Sequence, residues 1–437
     1  MNFKMAAGYA VGDFGINLYF ISVMTYLLYF YTDVMGISAV AAGGVFAVAR
    51  FIDAVTDPLM GAIAERTRSR WGRMRPYILF GAVPLGLITL LTFTVPDLDE
   101  GGKLLWAYST YVLFGLLYTV VTIPYATLTA SLTSDYQART QLSTYRIGCA
   151  FAGGFLVSVG TMPFVSLFDD PADGFQALMA VFATIATVLL WVTFKTTEEI
   201  EPPRQQKMSL RDSFRAITQN RPLLIVIGIF SCGMLSFTVR QTSTIYFFIY
   251  NVGDPSLIAW FFGVTLGCML LGIWSIPLLA GRFGKAGATR LGAYLTIVGC
   301  VGFYLMPYDA IVGIFFWGSL VALGGTPVAV LGWAMIPDTV EYAQLQHGVR
   351  ADGAIYATAS FFQKLAKTVG GAGVAFVLGL AGYVGGAVQT ASALQAIHVV
   401  LTLVPIAIMV LLIILTKIYT LDAKHHDEIV ARLADAP

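Results

Sequence analysis

The chain has 437 residues, 57% of them hydrophobic and 12% charged, with a formal net charge of +1 and a mean hydropathy of +0.76. So little charge cannot cover the surface of a soluble protein of this length, and a near-neutral balance without a cationic face offers nothing to nucleic acid. The composition is that of an integral membrane protein.

Crossing a hydrocarbon core of about 30 Å takes roughly 20 helical residues. Apolar segments of that order follow one another at 8–32, 38–64, 77–95, 104–130, 143–167, 175–195, 223–250, 257–280, 291–307, 310–335, 354–382 and 394–417. Twelve segments predict an all-α membrane protein with twelve transmembrane helices. The first carries Asp13 and Asn17 and is too long for a cleavable signal, so it is read as a span. The second contains RFIDAVTDPLMG, where Arg50, Asp53 and Asp57 interrupt an apolar run. Between the sixth and seventh lies KTTEEIEPPRQQKMSLRDSFRAITQNRP, whose charges and prolines suit a linker. The expected division is a six-helix half at 1–195, a linker at 196–222, a second half at 223–417 and a tail at 418–437. Cys149, Cys232, Cys268 and Cys300 all fall in apolar segments without a Cys-x-x-Cys pair, and are read as small core residues.

Basic residues crowd one set of alternate loops, from Arg66, Arg68, Arg70, Arg73 and Arg75 through the linker to Arg282, Lys285, Arg290 and Arg350; the other set holds only Lys103 among aspartates and a glutamate. The positive-inside rule then places both termini and the linker in the cytoplasm. Short matches relate the halves: Ile123-Pro124 recurs as Ile336-Pro337, and Gly72-Arg73 as Gly284-Lys285. A duplicated transporter with a solute site near the midplane is the expectation.

On a helix, Arg50, Asp53 and Asp57 share one face at i, i+3 and i+7. A charge at the bilayer centre costs about 2.5–3.5 kcal/mol on insertion scales, so this face must look at partners or into a polar cavity. One reading is a structural ion-pair network. Another is a cation site, in which two carboxylates one turn apart, with the Thr56 hydroxyl, offer oxygens to a hard cation such as Na+, or share a proton. Arg50 and the two acids sum to one negative charge, which a monovalent cation balances. Arg146, Arg240, Lys364 and Lys367 also lie in apolar segments, suited either to pairing with acids or to holding solute oxygens. Tyr19, Tyr26, Tyr118 and Tyr125 offer rings for stacking on a sugar, or for packing. No nucleophile, base or metal constellation and no cofactor motif is present, so an enzyme is not expected. The residues after Lys417 are too few for a signalling domain.

The segments GDFGINLYF, LLYFYTDVMGIS, DAVTDPLMGAIAERTRSRWGRMRPYILFG, TIPYATL and IPDTVEYAQLQHGVRADGAIYATASFFQKL resemble, in order and spacing, the glycoside-pentoside-hexuronide:cation symporters, the melibiose-permease-like branch of the major facilitator superfamily. The resemblance implies the fold of that superfamily, with two pseudo-symmetric six-helix halves. It also implies uptake of a sugar or glycoside with Na+, Li+ or H+ by a functional monomer in the inner membrane. It assigns cation binding to Asp53, Asp57, Thr56 and Thr119, and solute binding to Arg50, Arg146 and Lys364, with Asn17 and Thr122 at the family's solute positions; the rings of Tyr118 and Tyr26 join the solute candidates from the residue reading above. Gating by charge pairs between halves falls to Arg139, Asp338, Glu341 and Arg350. Asn17 and Thr122 stand where galactoside carriers of the family use aspartates, and Ala126 where they have tryptophan. Less negative charge beside Arg50, Arg146 and Lys364 suits an anionic sugar such as a hexuronide. A lysolipid or lipid carrier, and a drug or metabolite exporter of the same superfamily, are the alternatives.

Overall fold

A computed structural model describes residues 3–132, 136–199, 217–347 and 352–421, and no strand occurs among them. Twelve helices follow in chain order: α1 (Phe3–Tyr29), α2 (Ala39–Arg66), α3 (Arg75–Thr92), α4 (Glu100–Leu132), α5 (Tyr136–Val165), α6 (Pro171–Thr196), α7 (Arg221–Tyr246), α8 and α9 (257–283 and 285–305, either side of Gly284), α10 (Ile311–His347), α11 (Asp352–Leu380) and α12 (Ala391–Ile418). Nine helical stretches among the described residues are long and apolar enough to cross a membrane, α8 and α9 counting as one.

Local chemistry sets the starts. Ser38 opens α2 by accepting from Ala41 N at 3.4 Å. Asp170, followed by Pro171, opens α6 by accepting from Ala172 N at 2.8 Å. Asn220, followed two residues later by Pro222, opens α7 by accepting from Leu223 N at 3.0 Å. Each side-chain oxygen satisfies a donor that has no partner within the helix, and proline near the start gives up no needed N–H. Several helices outrun the apolar segments, α10 and α5 most of all, because backbone bonding continues after the side chains turn polar. Asp338 and Glu341 are therefore helical residues of α10 and not loop residues.

The repeat is written in the backbone. α1 runs into a π-helical turn, Phe30–Val34, with Gly36 at φ 80°; α7 runs into Phe247–Val252, with Gly253 at φ 81°. Gly72, between α2 and α3, has φ 100°, and its sequence match Gly284, between α8 and α9, has φ 69°. L-residues with a side chain avoid this left-handed region. Pro124 and Pro337 both lie inside their helices, α4 and α10.

By contacts the chain divides into two compact units, one of Met1–Gln205 with Pro255–Phe262 and Ala375–Thr390, the other of the remainder. In the first, α1 packs on α5 and α6, and α4 on α2 and α3. In lipid no hydrophobic force drives helices together, so close packing and interhelical hydrogen bonds must do so, and α1 is tied to its neighbours by hydroxyls. Tyr9 donates to Tyr125 O of α4 at 2.9 Å, Tyr19 to Ala183 O of α6 at 3.2 Å, and Tyr26 to Ser158 O of α5 at 2.9 Å. In the second unit α7 packs on α10 and α12, around Leu223, Val226, Ile229, Met335, Ile336 and Leu412.

Candidate functional site

α2 and α4 lie against each other and bring the expected cation ligands together. Asp53 is 8% exposed, and a Cβ placed on Gly115 of α4 would stand 2.6 Å from its Oδ1, so the missing side chain is what lets the carboxylate lie on the α4 backbone. One turn on, the buried Thr119 hydroxyl donates to Asp57 Oδ1 at 2.7 Å. Having donated its proton to Asp57, that oxygen keeps lone pairs for a cation. Thr56 turns its hydroxyl to its own helix, toward Asp53 O at 3.4 Å. Two carboxylates and a hydroxyl are oxygen ligands of the kind a hard cation takes.

The same α4 continues past the solute candidates: Gly115, Thr119, Thr122 and Ala126 fall at i, i+4, i+7 and i+11, along one stripe. Thr122 donates to Tyr118 O at 2.8 Å. The Tyr118 ring stacks with Phe20 of α1 at 5.9 Å and with Phe114 at 5.6 Å between centroids. Asn17 Nδ2 donates to Asp13 O at 2.8 Å.

Of the two roles the sequence leaves open for Arg146, pairing with an acid is the one the structure displays, and the acid is Asp13. Arg146 Nε donates to Asp13 Oδ2 at 2.6 Å, and its Cζ lies 5.4 and 5.0 Å from the ring centres of Tyr9 and Tyr125. Those rings stack at 4.8 Å, and each hydroxyl donates to the other residue's carbonyl, Tyr9 at 2.9 Å and Tyr125 at 2.6 Å. Asp13 was passed over as a site residue, although a carboxylate in an apolar run, one turn before Asn17, carried the signal. It returns to the site part of the negative charge lost at Asn17 and Thr122, so Arg146 no longer argues for an anionic solute. Tyr26 is 0% exposed and offers no ring face in this structure; a phenol inside an apolar bundle needs an acceptor, and the Ser158 carbonyl is one.

Among the expected gating residues, Asp338 accepts from Lys285 Nζ at 2.7 Å on both oxygens, and Lys285 also donates to Ala334 O at 2.9 Å. This pair lies within the second unit, whereas the sequence reading looks for pairs between halves. Glu341 is half-buried on α10. Arg350 lies outside the described residues, as do the side chains of Arg50 and Arg139. Lys364 sits near the middle of α11, in the second unit, and its carbonyl accepts from Thr368. At the matching place in the first unit, Glu199 accepts from three successive backbone N–H groups at the start of α3, Arg73 and Met74 at 2.8 Å and Arg75 at 2.9 Å. The linker reading of that segment hid Glu199.

A bundle of twelve helices with internal repeat and a carboxylate-hydroxyl cluster between two spans defines a multi-pass membrane transporter. The profile described as "MFS/sugar transport protein" matches residues 8–423. The chain belongs to this family, within the glycoside-pentoside-hexuronide:cation symporters, whose members are transporters and not enzymes. It is 36% identical over 435 residues to the "Uncharacterized symporter YnaJ" of Bacillus subtilis, covering 98% of this chain and 93% of the relative. It is also 36% identical to the "Isoprimeverose transporter" of Lactiplantibacillus pentosus, covering 91% and 84% respectively. Its fold is similar to that of the inward-open xylose transporter XylE from E. coli, with a TM-score of 0.66 and 14% identity over 98% of both chains.

Proposed function

We propose that the chain takes up a sugar or glycoside together with a monovalent cation, Na+ or H+, by alternating access, and that Asp53, Asp57 and Thr119 hold the cation. The observation that carries this is the Thr119 hydroxyl at 2.7 Å from Asp57, beside the buried Asp53 carboxylate, on two spans of a sugar-transport family member. The isoprimeverose transporter among its relatives agrees with a glycoside as solute. The solute face is the α4 stripe of Thr122 and Tyr118 with Asn17 of α1, and Arg146 is held beside it by Asp13. Arg50 and Lys364 complete the proposed solute contacts, and Arg139, Asp338, Glu341 and Arg350 serve the gate.

Both termini lie in the cytoplasm in this reading, the halves 1–195 and 223–417 move as bodies joined by the linker, and the monomer is the working unit. One charge moving inward through about 100 mV supplies about 2.3 kcal/mol, equivalent to roughly fiftyfold accumulation before any ion gradient is added. Coupling is reciprocal, so solute must tighten cation binding by the factor by which cation tightens solute binding.

Uptake of a radiolabelled glycoside panel into proteoliposomes, with Na+ and pH gradients imposed separately, tests the reading. Asp57→Asn should abolish gradient-driven accumulation while leaving downhill solute exchange; accumulation equal to wild type would remove Asp57 from the cation site.

A further inference from the structure

The end of α2 and the turn into α3 carry Arg66, Arg68, Arg70, Arg73 and Arg75. Arg75 is spent within the protein: its Nη2 donates to Phe194 O at 2.7 Å, and its Cζ lies 4.6 Å from the Phe194 ring centre. The other four guanidinium groups have no hydrogen-bond or ion-pair partner among the described residues, and Arg66, Arg68 and Arg70 are exposed. The described acids nearby serve other groups, since Glu199 accepts from the backbone of Arg73, Met74 and Arg75, and Glu198 beside it attracts Arg75. Lys195, exposed at the end of α6, adds a further cation.

Setting the orientation of a span takes charge alone, and a loose loop would serve. This turn is built. Ser69 Oγ accepts from Trp71 N at 3.1 Å and donates to Gly72 O at 2.7 Å, Gly72 takes φ 100°, and Arg70 Cζ lies 4.1 Å from the Trp71 ring centre. Trp71 in turn meets Phe80 of α3 edge-on, with ring centres 5.5 Å apart. Phe80 begins a line of exposed apolar side chains, Phe80, Val83, Leu87 and Leu91, at i, i+3, i+7 and i+11 along one face of α3. On a membrane span such a face meets hydrocarbon, so a fixed group of cations stands at the head of a track for an acyl chain.

A guanidinium gives a phosphate two parallel hydrogen bonds, and basic clusters at the end of a span attract anionic headgroups. We propose that the α2–α3 turn is a binding surface for an anionic phospholipid, with the phosphodiester held by Arg68 and Arg70, Arg66 and Lys195 nearby, and an acyl chain lying along α3 from Phe80 to Leu91. The proposal needs only that the chain spans a bilayer, and goes beyond the transport reading in naming a lipid partner.

The test titrates the full chain in detergent with dioctanoyl phosphatidylglycerol, dioctanoyl phosphatidylcholine and inorganic phosphate, with binding read by calorimetry. The two lipids share their tails, so the ratio of their affinities reports the headgroup. Wild type should bind the phosphatidylglycerol about tenfold more tightly, the lower end for a hydrogen bond to a charged group, and added salt should shrink the ratio. Arg68→Gln with Arg70→Gln should bring the ratio to within about twofold of unity, and Arg68→Lys with Arg70→Lys should keep part of it, since lysine retains the charge and loses the fork. Arg282→Gln, in another loop where the guanidinium also lies by a ring, should leave the ratio unchanged. A ratio that survives the glutamine pair, an equal fall in Arg282→Gln, or no wild-type preference would each overturn the proposal. So would inorganic phosphate that displaces the phosphatidylglycerol as well as the lipid displaces itself, because that marks a site for a free anion. Melting curves establish that the variants fold, and the lysine pair keeps the charge should the glutamine pair not. Sugar transport does not enter the readout, so either result leaves the symporter reading standing.

Discussion

Gly115→Ala isolates the geometry of the cation site from its charges. The added Cβ would lie 2.6 Å from Asp53 Oδ1, well inside van der Waals contact, so one of the two must move by roughly 0.5–1 Å. The α4 backbone is fixed by its own hydrogen bonds and by packing on α2 and α3, so the carboxylate gives way. Turning a side chain about 30° from its rotamer costs about 0.5–1.5 kcal/mol. Since tenfold in affinity is 1.4 kcal/mol, cation affinity should fall by about 2- to 12-fold. Helix propensity acts in the opposite direction, because alanine is favoured over glycine by up to about 1 kcal/mol in a helix. The variant should therefore keep its thermal stability while losing cation affinity, a combination that general misfolding does not produce. Gly267→Ala, where nothing lies within 4 Å of the new Cβ, is the control and should leave cation affinity unchanged. The assay is a cation titration of solute binding on purified protein at fixed solute. A Gly115→Ala affinity within twofold of wild type would refute the placement of the cation against Asp53.

Asp13→Asn leaves Arg146 without its carboxylate. With side chains 14% and 23% exposed, the loss should be about 1–3 kcal/mol, below the 3–5 kcal/mol of a fully buried pair, and Asp13→Asn with Arg146→Gln should be less damaging than the two single losses added together in thermal melts. Glu199→Gln weakens the acceptor of three N–H groups at the start of α3 and should cost about 0.5–2 kcal/mol by the same measurement, with the cation affinity of the α2–α4 site unaltered.

The α4 stripe shows how far the motif reading reached. Thr119 was assigned by resemblance, and the structure puts its hydroxyl on Asp57; Gly115, one turn earlier, carries no chemistry of its own and was invisible until a carboxylate was found lying on it. Tyr26 and Arg146 show the converse. Their residue types suit a sugar site, yet one spends its hydroxyl on Ser158 and the other its charge on Asp13, partners 132 and 133 residues away along the chain.

Composition and hydropathy settled by themselves that the chain spans a membrane as a helical bundle, because lipid leaves the backbone of each segment no partner but its own helix. Periodicity within one helix likewise put Asp53 and Asp57 on one face. Which hydroxyl meets Asp57 and which acid neutralises Arg146 depend on neighbours remote in sequence. No local rule encodes those pairings; they follow from which helices pack together, and only the tertiary structure decides that.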